Sequence, residues 1–373
     1  MEKSKMRAPL LLAFLCSSAC FAGVTFDTPQ GKLSIGGNFE FNIDAAHINK
    51  DTTSGVDAYN NSGRVELNIN GEHELEDGYY GAFSLNPGWQ IYGDSINDQW
   101  MGVGKKNDWF LKLGHYLAYD VAPVGTAPGD DTWVGGYEMY TVNDARGRSN
   151  NMVTLSKDVN QAYYELTFVY EDDFSDHQST LTTMPGQAVS GNYLYDGSGI
   201  TINKKRDPLV ARPVAAYNGK LLQAAVGGEF SMVTDAYETN EGVPLSKRNG
   251  VGGYVSTNLT DDLSGLVRVA YLDGVAHTQY TLGAGLKYKN IYLGYLYGHE
   301  NVEKSDVLGI ANNMQADAHE VYISSVWKDL LGLSNVEFHA GGYWSQVLAN
   351  DSQSSPLAKP TDFGTRVRIK YWF

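Results

Sequence analysis

Three basic residues, Arg366, Arg368 and Lys370, stand at alternate positions near the end of the chain, with Val367, Ile369 and Tyr371 as their apolar neighbours. Glu40 and Asn42 alternate in the same way with Phe39, Phe41 and Ile43, and Arg64 and Glu66 with Val65 and Leu67. A two-residue period puts all the charge on one face of a strand and all the apolar bulk on the other. The chemistry open to such a face is electrostatic: it attracts, orients or repels polar solutes along its length. Groupings for covalent chemistry are missing. The sequence holds no Gly-x-Ser-x-Gly elbow, no His-Glu-x-x-His pair and no His/Cys cluster, so no catalytic residue, metal or cofactor is expected.

The elements that carry these residues follow from the rest of the chain. Lys3, Lys5 and Arg7, an apolar run from Pro9 to Cys16, and Cys20-Phe21-Ala22 read as a secretory signal peptide over residues 1–22. A lipoprotein signal through Cys20 fits less well, because Ser17 stands where leucine is expected. Both cysteines, Cys16 and Cys20, leave with the leader, so residues 23–373 need neither a disulfide nor a thiol. The leader also removes three basic residues and one acid, which takes the net charge from −15 to −17. A chain this acidic is not expected to bind nucleic acid.

No stretch reaches the length of a membrane-spanning helix, and the mean hydropathy is −0.32. Alternation dilutes hydropathy, so a β-barrel stays open. The 25 Tyr and 41 Gly favour an all-β exported protein. Alternation and turn residues predict sixteen strands, at 33–43, 64–70, 79–86, 100–104, 108–116, 148–156, 161–171, 209–217, 221–232, 251–259, 263–272, 279–288, 291–299, 320–328, 336–345 and 363–373. Short links such as Glu76-Asp77-Gly78, Lys105-Lys106-Asn107 and Asn218-Gly219 alternate with long ones, including 45–63, 87–98 and 172–207.

The last strand by itself fits a sandwich edge as well as a membrane strand. Sandwich connections do not sort into long and short by parity, and a propeller would repeat in sequence. The expected fold is therefore an all-β, 16-stranded antiparallel transmembrane β-barrel with short periplasmic turns and long extracellular loops. Such a ring satisfies every backbone group in lipid.

The resemblance that follows rests on Gly63-Arg64-Val65-Glu66-Leu67-Asn68-Ile69-Asn70-Gly71, Met101-Gly102-Val103-Gly104, Leu111-Lys112-Leu113-Gly114-His115, Asp120, Arg148-Ser149-Asn150-Asn151 and the terminal Phe373. In these residues, and in their order, the chain resembles the Gram-negative general diffusion porins, trimeric sixteen-stranded channels. The resemblance implies a cell outer membrane location, contact with outer-membrane lipid and lipopolysaccharide, a homotrimer, and passage of small hydrophilic solutes and ions. It also implies a third loop, 119–144, folded into the lumen opposite a basic wall cluster that falls on Arg64, His115 and Arg148. Phe373 looks like the signal read by barrel-assembly machinery.

Two departures from the family stand out. The wall carries His115 in place of arginine, on the parity of Leu111 and Leu113, so it needs a bulge or a strand end to reach the lumen. The loop reads only Pro123-Val124-Gly125, without the usual glutamate, which leaves Asp130, Asp131 and Glu138 as the candidate acids. Glu40, Arg366, Arg368 and Lys370 are expected to line the lumen, the last three as a basic ladder. Tyr80, Trp100, Tyr163, Tyr254, Tyr292, Tyr343 and Trp372 share lumen parity, whereas Tyr164, Tyr170, Tyr271, Tyr288, Trp327, Trp344 and Tyr371 face outward. Lumen aromatics keep an oligosaccharide-selective channel open beside a general one, and the absent motifs argue against a barrel enzyme.

Overall fold

A computed structural model describes residues 23–29, 31–49, 56–90, 93–123, 151–170, 202–306, 313–351 and 361–373. In chain order the strands are β1 (Val24–Thr28), β2 (Gly31–Asn49), β3 (Val56–Glu74), β4 (Tyr79–Gln90), β5 (Gly93–Lys105), β6 (Trp109–His115), β7 (Met152–Val159), β8 (Ala162–Tyr170), β9 (Ile202–Lys204) and β10 (Leu209–Asn218). They continue as β11 (Leu222–Ser231), β12 (Tyr237–Thr239), β13 (Asn249–Asn258), β14 (Leu263–Asp273), β15 (His277–Tyr288), β16 (Ile291–Val302), β17 (Met314–Lys328), β18 (Val336–Asp351) and β19 (Thr361–Trp372).

Sixteen of these strands pair antiparallel with their chain neighbours. The ring closes where β19 pairs with β2, with Arg368 opposite Asn42 and Lys370 opposite Glu40. Strand β1 adds to β2 over Gly31 to Ile35, just past the end of β19, so it continues the row that the last strand leaves short. Strands β9 and β12 form a separate two-stranded ribbon on the long-connection side, over a small core of Ala236, Tyr237, Leu245 and Val302.

Alternation works as the sequence predicts, with the polarity of a soluble protein reversed. Val267 and Val269 are 51% and 53% exposed, while Arg268 between them is 4% exposed. The outward residues are apolar because lipid surrounds them, and the inward ones are polar because the lumen is wet. Tyr164, Tyr170, Tyr271, Tyr288, Trp327, Trp344 and Tyr371 are all exposed on the outer face, as expected. The short turns take the residues that tolerate left-handed backbone: Asp77 (φ 58°), Asn107 (φ 62°) and Asn160 (φ 56°).

The strands run further than alternation predicts. The stretch expected as a connection at 87–98 is instead the upper part of β4 and β5, with a register shift between Leu85 and Pro87. Pro87 falls at that irregularity, where a missing N–H costs no ladder bond. Likewise β2 runs on to Asn49 and β3 starts at Val56, inside the expected loop 45–63. In these arms polar and apolar residues no longer alternate, as Ala45-Ala46 and Asn60-Asn61-Ser62 show, so period-2 hydropathy cannot mark them.

Candidate functional site in the lumen

The third long connection leaves β6 at His115 and turns inward. Tyr116 is buried, and its hydroxyl donates to Thr154 Oγ1 at 2.7 Å; Thr154 is in turn 2.6 Å from Thr167, which donates to Glu165. Burial pushes the Tyr116 phenol well above its ordinary pKa, so it stays a neutral donor. Tyr119 stacks on Tyr163 at 5.0 Å, and Tyr163 donates to Glu165 Oε2 at 2.9 Å. This polar chain on β7 and β8 holds the start of the connection against the inner wall.

The connection then crosses to β10, β11, β13 and β14, three to six strands further round the ring. Val121 and Ala122 pack with Val214, Ala216, Ala225, Tyr254, Ala270 and Leu272, and Val121 is fully buried. Arg268 Nη1 donates to the Pro123 carbonyl at 3.1 Å. An apolar patch on the lumen side of a wet barrel is thereby covered by the connection itself, which narrows the opening. Residues 124–150 lie outside the described residues, and with them Asp130, Asp131, Glu138 and Arg148.

The wall opposite this patch carries the charge expected of it, arranged differently. Arg366, Arg368 and Lys370 do not form an unopposed basic ladder. Arg366 pairs with Asp44, Arg368 lies 3.4 Å from Glu40 and donates to Asn42 at 2.7 Å, and Lys370 lies 3.8 Å from Glu40. Arg64 reaches the same carboxylate at 3.6 Å. The closing pair β19 and β2 puts acids of one strand beside bases of the other, so the ladder is a mixed-charge row. His115 sits opposite Gln99, on the outward-facing row, half-buried. Gly114 before it, at φ 136°, supplies the irregularity that a turn toward the lumen requires.

All seven aromatic residues assigned to the lumen by parity occupy inward rows, Tyr254, Tyr292 and Trp372 among the most buried. Sequence reasoning missed a second charged group, Glu229 with Arg248 and with Arg212 at 3.5 Å. It also missed Phe110, Lys112 and Tyr116, which join Trp100 and Tyr80 on the inner face of β4 to β6. Lys112 was legible in principle, as the polar member of Leu111-Lys112-Leu113.

A profile for a family described as porin-like glycoporin RafY matches residues 35–373. The chain belongs to this family. The porin is thus a Gram-negative outer-membrane channel for passive passage of small hydrophilic solutes, and its family is one of channels and not of enzymes. Solved structures agree on the fold. The outer membrane channel DcaP of Acinetobacter baumannii is 13% identical, with 93% of this chain and 99% of that one covered and a TM-score of 0.56. The anion-selective porin of Comamonas acidovorans is 15% identical over 92% of this chain and all of its own, with a TM-score of 0.53. OmpT of Vibrio cholerae, in its trimer form, is 11% identical over 92% of this chain and all of its own, at 0.54. No curated protein matches the chain.

Proposed function

We propose that residues 1–22 are removed on export and that the mature porin is a homotrimer in contact with outer-membrane lipid and lipopolysaccharide, through which carbohydrates pass in preference to other small polar solutes. The reading is carried by the seating of Val121 and Pro123 on the inner wall, because a connection held there sets the narrowest part of the path. Arg64 and Arg148 are the proposed wall side of that constriction, and Asp130, Asp131 and Glu138 the proposed acids of the connection; His115, on the outward-facing row, is not part of it. Opposed charges across a narrow opening orient a dipolar solute, and an apolar solute gains nothing in exchange for its water. A glycoporin family description and a lumen lined with tyrosine and tryptophan support the carbohydrate preference. The net charge of −17 expected for residues 23–373 supports a mild preference for cations.

Planar-bilayer recording of the purified porin tests both parts. Titrating maltohexaose into the open channel should close it in a concentration-dependent way at millimolar sugar; an open current indifferent to sugar rules out the carbohydrate preference. Under a salt gradient, a reversal potential of the anion-selective sign rules out the cation preference.

A further inference from the structure

Strands β9 and β12 form a ribbon held together by its own bonds. Tyr237 of β12 pairs with Lys204 of β9, the Leu245 N–H donates to the Tyr237 carbonyl at 2.8 Å, and Arg206 pairs with Asp235 at 2.8 Å. Asn203 and Lys204 are exposed, whereas Tyr237 and Thr239 are buried, so the ribbon has a wet face and a seated face. The seat is on the inner wall. Ala236, Tyr237 and Leu245 pack with Val302, and Val275 and Ala276 lie against the same cluster. Val302 shares its row with Leu296 and Glu300, both buried, while the outward row of β16 carries Leu293 and Tyr295, both exposed. The ribbon therefore leans over the lumen mouth on the long-connection side and not over the lipid face.

Next to Ala276 in the chain is an imidazole with no place for a second proton. His277 opens β15, and its Nδ1 lies 3.0 Å from the Val275 carbonyl, which only accepts, so Nδ1 carries the hydrogen of the neutral ring. Nε2 is left as the bare nitrogen, buried and without a hydrogen-bond partner. A proton there makes a buried N–H with no acceptor on a charged ring. The charged groups acting on the ring are Arg248 and Lys247, on the return stem of the ribbon, and Asp273, at the end of β14. Asp273 already pairs with Lys247 at 2.8 Å, and Arg248 pairs with Glu229 of β11. Just past β16, the Glu303 backbone N–H donates to the Ala276 carbonyl at 2.8 Å, and Glu300 on β16 accepts from Gln279 at 3.0 Å. A charged His277 is thus a third cation at the foot of the ribbon, with Asp273 and Glu229 already engaged.

We propose that the ribbon is a pH-operated lid on the lumen mouth: neutral His277 keeps it seated, and protonation of the ring releases it. A proton on Nε2 needs water or another acceptor, and the ring gains one only when the stem at Lys247 and Arg248 moves off it. The bonds inside the ribbon survive that move, so it swings as one piece about its joins to β10, β11 and β13. A small apolar contact around Val302 is what else holds it down, and few buried contacts make for easy local opening. The channel is then throttled near neutral pH and opens as the outer medium turns acid. By one-proton linkage the closed-to-open ratio falls about tenfold per pH unit below the ordinary imidazole value of about 6.5.

The test is single-channel recording of the reconstituted porin, with the solution on the long-connection side stepped from about pH 7.5 to about pH 5. The parent should dwell at a lower conductance level at the first pH and at a higher one at the second, the ratio of dwell times changing at least about tenfold. His277→Gln keeps a donor for the Val275 carbonyl but takes no proton, and should lose that change. Glu300→Gln, which removes the buried carboxyl of the same wall, should keep it. Leu245→Asp puts a carboxylate into the seat and should hold the higher level at both pH values. Titration of open lumen carboxylates alters the current of every variant alike, so the difference between the parent and His277→Gln reads the lid. A parent whose dwell times ignore pH, a His277→Gln channel that responds like the parent, a Glu300→Gln channel that does not respond, or a Leu245→Asp channel that closes at neutral pH overturns the proposal. If His277→Gln does not assemble, Leu245→Asp, altered only in the ribbon, still decides it against the parent.

Discussion

Arg368 and Glu40 lie 3.4 Å apart across the seam that closes the barrel, and the same carboxylate also faces Arg64 at 3.6 Å and Lys370 at 3.8 Å. One acid thus holds three cations on the lumen wall between the last strand and the first two strands of the ring. Glu40→Gln leaves those cations to repel one another across the seam. Removing one partner of a buried ionic group costs about 3–5 kcal/mol, and a wet lumen lowers this to about 1–3 kcal/mol. Unfolding followed by gel mobility should report that loss, and the reversal potential under a salt gradient should move in the anion-selective direction.

Arg268 ties the third connection to β14 through the Pro123 carbonyl. Arg268→Ala removes a charged hydrogen bond worth about 1.5–3 kcal/mol to the docked position. Single-channel traces should show larger and noisier open currents, with the barrel itself still assembled.

Val121 is fully exposed to none of the channel water and is packed among alanine, valine and leucine. Val121→Asp puts a carboxylate into that patch, which the connection avoids by leaving the wall. Protease sensitivity of the connection should rise sharply, and conductance with it, while heat stability of the ring changes by less than about 1 kcal/mol.

Position parity decides what a charge costs. Arg268 faces the lumen and is native, whereas Val267 and Val269 on either side face lipid. Val267→Arg should destabilise the porin by about 2–4 kcal/mol in reversible folding into lipid vesicles. A change near zero would mean that this face does not meet hydrocarbon.

Phe373 closes the chain by exchanging hydrogen bonds with Gly37, 2.8 and 3.0 Å long. Deleting it removes both, at about 1 kcal/mol each, so the in-vitro stability falls by about 2 kcal/mol.

Alternation made the ring legible wherever one face is wet and the other meets lipid, as in Arg366 to Tyr371. It failed where that contrast vanishes. In β10, Val210, Val214 and Ala216 face the lumen yet are apolar, since Val121 and its neighbours or the start of the third connection cover them. A strand apolar on both faces hides its own parity, and Arg212 went unnoticed with it. Phe110 was hidden in the same way by Trp109 and Leu111 beside it. In retrospect, apolar residues on the lumen face of β10, β11, β13 and β14 mark where the connection lands, a signal readable only once the parity of their neighbours is known. The pairing of Arg366, Arg368 and Lys370 with acids of β2 depends on closure register, which no local pattern contains.

The seating of the third connection is open to direct measurement, because residues 23–373 contain no cysteine. A Cβ on Gly227 would lie 3.1 Å from Val121 Cγ2, so Val121→Cys with Gly227→Cys places two thiols within bonding range. Mild oxidation should crosslink the pair nearly completely, shown by altered mobility of the unreduced protein on a gel, and lock the channel into a quiet state of lower conductance that reduction reverses. Free thiols after oxidation, with unchanged conductance, would contradict a connection lying against the inner wall.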